Sequence, residues 1–159
     1  MSRRTNAKPV YPSIDAFFLR QLRSTSKLDL MKALPQSITE RAYVSPGAKE
    51  FAWRRHDMPA ALQAIAASGQ AILGGEVWIV KDPGGNWHGL IPSKTGGPDG
   101  VWHWETTPKK DSESWQLYCE RTQQESLNTL KDMRVENETR EDVVPLLWFN
   151  VSFVGPHEV

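Results

Sequence analysis

The apolar residues of this chain change period as the sequence is read, and the changes divide it into elements. Ile14, Phe17, Phe18 and Leu22 keep an i, i+3/i+4 spacing behind Ser13, which predicts a short capped helix. Leu28, Leu30, Met31 and Leu34 predict a helical turn that stops before Pro35, and Ile38 to Tyr43 a second one, punctuated by Ser45-Pro46-Gly47. Asp57 and Pro59 mark a helix start, with Pro in the first turn, where its missing N–H costs nothing. That helix carries Leu62 and Ile65 among five Ala, and Gly69 is placed to end it.

At Ala71 the period shifts from helix to strand. Ala71-Ile72-Leu73 and Val77-Trp78-Ile79-Val80 are apolar and partly β-branched, which suits a strand. Gly74-Gly75 between them predicts a bulge or a close backbone approach. Asp82-Pro83-Gly84-Gly85-Asn86 is a strong turn signal, so Trp87 to Ile91 is expected as the return strand of a hairpin. Pro92 to Gly100 is a loop, and Val101 to Thr106 a third short strand. Asp111 or Ser112 is expected to cap a long helix, with Glu113 in its first turn beside the positive end of the helix dipole. Trp115, Tyr118, Cys119, Thr122, Ser126, Leu130 and Met133 fall on one stripe of that helix, with Leu117 and Leu127 beside it. Residues 134–142 read as acidic and exposed. Leu147, Phe149, Val151 and Phe153 then alternate with Trp148, Asn150 and Ser152, the pattern of a half-buried strand. Together these predict an α+β protein. A mainly antiparallel sheet is packed by one long C-terminal helix and a shorter Ala-rich helix, with a helical N-terminal extension.

Composition adds bounds. A chain of 159 residues suits a single domain that needs no disulfide or metal to hold its core. Cys119 is the only cysteine, so no internal disulfide is possible, and a reducing compartment is permitted. Residues 1–10 are polar, basic and without periodicity, and are expected to be flexible. No apolar run follows the N-terminal charges, as a secretory signal would require, and none approaches the ~18 residues of a membrane span. A cytoplasmic protein without membrane contact is the expectation. Net charge is zero but uneven: residues 1–55 hold 11 Lys/Arg against 4 Asp/Glu, and residues 56–159 hold 8 against 15. The acidic C-terminal two-thirds argues against nucleic acid, because phosphate contacts need Lys and Arg.

The chemistry-bearing residues form no catalytic signature. His56, His88, His103 and His157 show no metal-ligand spacing, so no metal or other cofactor is expected. If strands 87–91 and 101–106 pair, His88, His103 and Glu105 converge. The alternative reading is then a small enzyme or ligand-binding protein with a Trp-lined pocket. Cys119, on an apolar helical stripe, reads as inert core rather than nucleophile. Five of the seven Trp are Trp78, Trp87, Trp102, Trp104 and Trp115. Core packing is the first reading for them, and an interface anchor the second. Trp87, beside the Gly-rich turn, is the one expected to be exposed.

Ile72-Leu73-Gly74-Gly75-Glu76, Trp104, Glu113-Ser114-Trp115, Tyr118 and Arg121-Thr122 together resemble the immunity protein 40 family of bacterial polymorphic toxin systems. The similarity spans about residues 58–154. It departs at Glu76, where the family is expected to carry Asp, and it leaves residues 1–57 without a counterpart. The resemblance implies a non-enzymatic antitoxin whose partner is a cognate toxin domain. Glu76, Asp82, Trp87, Asp99, Glu105 and the acidic 136–142 stretch are candidates for the toxin-binding face. Gly74, Gly75, Trp104, Trp115, Tyr118 and Arg121 are the structural motif. Arg121 is expected to pair with Glu76 or Glu105.

Overall fold

The computed structural model describes residues 27–47, 50–82 and 84–158; the helix expected behind Ser13 and the stretch 1–10 lie outside them. The elements, in order, are α1 (Lys27–Lys32), α2 (Gln36–Thr39), β1 (Tyr43–Val44), β2 (Phe51–Trp53), α3 (Met58–Ala67), β3 (Ala71–Val80), β4 (Trp87–His88), β5 (His103–Glu105), α4 (Trp115–Asp132), α5 (Val135–Glu138) and β6 (Leu147–Val154). The described strands form one antiparallel sheet in the order β1-β2-β6-β3-β4, with β5 also on β3. The α+β class and antiparallel sheet expected from the sequence are present. No helix among the described residues is long and apolar enough to cross a membrane.

Strand β3 is the spine. It pairs with β6 along one side, from Ala71↔Val154 to Ile79↔Leu147, and its other side is shared end to end by β5 and β4. The expected bulge is there, as a register shift between Ile72 and Gly74. Gly74 has φ +144, and a Cβ on it would stand 2.2 Å from the Trp104 carbonyl oxygen. A Cβ on Gly75 would meet the Asn150 carbonyl oxygen at 2.0 Å and the Trp104 ring at 2.2 Å. A bulge leaves backbone groups without ladder partners. Here Thr122 Oγ1 accepts from the Ile72 N–H (3.0 Å), and Thr106 Oγ1 donates to the Ile72 carbonyl (2.6 Å).

The helices cover one face. Met31 and Leu34 around α1, Met58, Leu62 and Ile65 of α3, Leu130 of α4 and Val135 of α5 share a core with Val77, Ile79, Trp104, Phe149, Val151 and Phe153. Residues 134–142 are therefore not wholly exposed: Val135 and Thr139 are buried. The long helix starts later than Asp111 or Ser112. Lys110 to Glu113 makes a turn, and Ser114 is the cap, its Oγ accepting from the Leu117 N–H. Asp57 does not cap α3 through its side chain, which pairs instead with Arg41 (2.9 Å). Leu117 lies off the buried stripe, exposed on the outer side of α4.

The opposite face is packed differently. Tyr43, Ala52, Trp78 and Val80 form a second cluster with Trp87 and Trp148, and among the described residues no helical one belongs to it. Trp78 therefore faces away from Trp104, and Trp87 is half-buried rather than exposed, stacked on Trp78 with centroids 4.2 Å apart. Asn150, expected among polar outward positions, is buried on this face and donates to the Phe51 carbonyl (3.0 Å).

Candidate functional site

The residues of the sequence motif meet around the β3 bulge and the start of α4. Gly74 and Gly75 admit Trp104, whose Nε1 donates to Ser126 Oγ on α4 (3.3 Å). Half-buried Trp115 donates from Nε1 to the Gly69 carbonyl (2.8 Å) and meets Tyr118 edge-on at 5.5 Å. Tyr118 and Cys119 pack on Ala71 and Val154, and burial raises the Cys119 thiol, as befits an inert core cysteine.

Arg121 completes this unit, but with other partners than Glu76 or Glu105. Its Nε and Nη2 bind Glu113 at 2.6 and 2.8 Å, and its Nη1 binds Glu125 Oε1 at 2.7 Å. It also donates to the carbonyls of Thr107 and Pro108, both at 3.1 Å. Arg121 looks onto the connection into α4, not onto the sheet, so it staples that connection to the helix. Its guanidinium holds the Glu113 carboxyl down at about 2, and Glu113 in turn raises Arg121.

Glu76 is left outside the unit. It is buried (8% exposed) on the helix-free face. Trp78 Nε1 donates to its Oε2 at 3.3 Å, and no donor among the described residues reaches its Oε1. Burial raises its pKa; the Trp78 bond opposes that rise, and Glu50 nearby adds to it. Gly89 lies over the carboxyl: a Cβ there would stand 2.8 Å from Oε1 and 3.5 Å from the Trp87 ring.

His103 is the cross-strand partner of Glu76. Its Nδ1 is buried without a hydrogen-bond partner among the described residues. Side chains alternate along a strand, so Val101, His103 and Glu105 share the helix-free face while Trp102 and Trp104 join the core below. The sequence singled out His103 and Glu105 on this strand as well as its Trp residues, but set them beside His88, whereas the register puts His103 across from Glu76.

The expected convergence of His88, His103 and Glu105 does not occur. Strands β4 and β5 both pair with β3 and not with each other, and His88 lies opposite Ile79, whose side chain belongs to the helix-side core. Among the described residues no group of three His, Cys, Asp or Glu could hold a metal. Asp82 is exposed in the turn after β3, Asp99 in the loop before β5, and Glu105 opposite Gly74. Leu90 (58% exposed) and Val101 (38%), which sequence reading did not single out, flank the Ile91↔Gly100 bridge.

A concavity of about 280 Å³ lies at the far end of α4 between Arg55, Lys131, Arg134 and Glu136. Arg55 is committed there: it forks onto Glu136 (2.6 and 2.7 Å) and donates to the last carbonyls of the helix, Leu130 and Met133. It closes the helix end rather than offering a cation. No family model matches the chain, and neither a curated protein nor a solved structure matches it.

Proposed function

We propose that this protein is an immunity protein, a cytoplasmic antitoxin that binds one cognate bacterial toxin domain and occludes it without chemistry of its own. One observation carries the proposal. The residues that resemble the immunity protein 40 motif interlock: Gly74, Gly75 and Trp104 at the bulge, and Ser114, Trp115, Tyr118 and Arg121 on α4. A set of residues spread over nearly 50 positions thus serves one local construction, while Glu76 alone in the motif points to the opposite face. Toxins that attack nucleic acid tend to be basic, and an acidic inhibitor would steer their association. The acidic balance of residues 56–159 suits that role.

The proposal expects a toxin gene beside this one, and the test is co-expression with its product. Growth rescue, together with a stable complex of nanomolar or tighter affinity between the purified proteins, is the expected outcome. Absence of rescue and of complex formation overturns the proposal.

A further inference from the structure

We propose that the helix-free face is the toxin-contacting surface, and that its polar centre receives an arginine side chain of the toxin, bound by Glu76 and His103. This rests on the immunity reading above.

The register places the two residues together. The Val77 N–H donates to the Trp102 carbonyl (2.8 Å), which makes Val77 and Trp102 a hydrogen-bonded pair and Glu76–His103 the adjacent non-hydrogen-bonded one. Such pairs bring their Cα atoms to about 4.5 Å and their side chains closest together. Between them they present two polar atoms that no group among the described residues partners, the Glu76 Oε1 acceptor and the buried His103 Nδ1. A buried carboxylate without a cation is costly, and so is an unmade hydrogen bond to a buried nitrogen. The carboxylate is met by a ligand that is cationic and rich in donors, and the same ligand meets His103 Nδ1 when that ring carries its proton on Nε2. A guanidinium is both, offering five N–H donors in a planar fork suited to a carboxylate.

The surroundings match that ligand. The Trp87 ring lies beside the Glu76 carboxyl across Gly89, where a guanidinium can meet an aromatic face. Glu50 adds negative potential at the same place. Leu90 and Val101 are two of the four large apolar side chains exposed among the described residues. They flank the Ile91↔Gly100 bridge, which follows β4 and precedes β5, and apolar groups that exclude water near a charged anchor are the usual make-up of a binding hot spot. The sheet needs nothing further on this side for its own packing, since Trp78 and Val80 are already covered by Tyr43, Trp87 and Trp148.

Two measurements on the full chain separate this site from the reading it rests on. The first is an NMR titration of labelled protein with ethylguanidinium chloride, with ethylurea and sodium chloride as controls, following the Trp87 indole N–H and the His103 ring. Saturable shifts with a millimolar Kd are expected for ethylguanidinium alone, weakened about tenfold or more in Glu76→Gln. Circular dichroism checks the fold of that variant. Absent binding, or equal binding in Glu76→Gln, overturns the site. The second measures affinity for the neighbouring toxin. Glu76→Gln and Leu90→Asp, the latter at a position that contributes nothing to the core, should each weaken it about tenfold or more, while Glu120→Gln on the outer side of α4 should not. Rescue by the wild type with affinity unchanged in both variants overturns this face as the contact surface. Failure of the wild type to rescue overturns the immunity reading instead, and the guanidinium titration then decides the site by itself.

Discussion

Burial holds Glu76 in a place where its charged form is disfavoured, and the consequence for stability has a definite sign. Its folded pKa lies above the ordinary value. The native state therefore binds a proton that the unfolded chain releases, and stability falls as pH rises from the ordinary carboxylate range through the raised folded value. Glu76→Gln removes that penalty. Its melting temperature should exceed the wild type's at pH 7, and the difference should shrink to nothing as the pH falls below the ordinary range. An advantage for the variant that does not depend on pH would show that burial of the charge is not the cause. Arg121 gives the opposite sign. Glu113, held at about 2, contributes stability above its ordinary value of 4.5 that is lost as pH falls toward 2. Arg121→Ala should lower stability at pH 7 and flatten the acid limb of the pH–stability curve. The sequence reading gave Arg121 a carboxylate partner, Glu76 or Glu105, and gave Glu76 also as a candidate for the toxin-binding face. The partners are instead Glu113 and Glu125. The choice depends on where the 107–113 connection returns to the helix, and no periodicity reports a loop path.

At the scale of elements, the helix starts and the bulge are the sharpest tests. Ser114→Ala removes the acceptor of the Leu117 N–H and should cost about 1 kcal/mol in chemical denaturation. The same change at Ser112 should cost little, since the cap lies two residues later. Gly75→Ala places a methyl group where the Asn150 carbonyl and the Trp104 ring already stand, and should destabilise by about 3 kcal/mol or more. The long helix, the Ala-rich helix, β3 with its interruption and the alternating β6 were all legible, because each carries a sustained period of its own. The cap was misplaced because Asp111, Ser112 and Ser114 are all competent caps, and the local turn at Lys110–Glu113 decides among them. Trp87 to His88 is the return strand of the expected hairpin with β3, while the pairing of 87–91 with 101–106, on which the His88, His103 and Glu105 convergence depended, does not form. Both strands instead find the free edge of β3.

For the whole molecule, the two sheet faces divide the tryptophans between different tasks: Trp104 fills the helix-side core, while Trp78, Trp87 and Trp148 build the other face. Trp78 and Trp87 are nearly parallel, with an interplanar angle of 7°. That geometry should give an exciton couplet in the far-ultraviolet circular dichroism that Trp87→Phe abolishes while the melting transition stays cooperative. A couplet that survives the substitution would place the coupled pair elsewhere. The candidate site was only half legible for the same reason. The residues were visible in the sequence, but their assignment to a face depends on a register that the bulge resets.

The position of β6 has a consequence in time. Strands β2 and β3 share no ladder; each is paired to β6, and Ala52 and Glu76 both lie across from Asn150. Until residues 147–154 arrive, the sheet exists as two separate ribbons, one ending at Trp53 and one beginning at Ala71, with their inner edges open. Contacts spanning nearly 100 residues, such as Asn150 to Phe51, must close last and slowly. Before residues 147–154 are in place, β2 and β3 each have an inner edge without its ladder partner, the kind of edge that invites pairing with another chain, and the insertion of that single strand covers both.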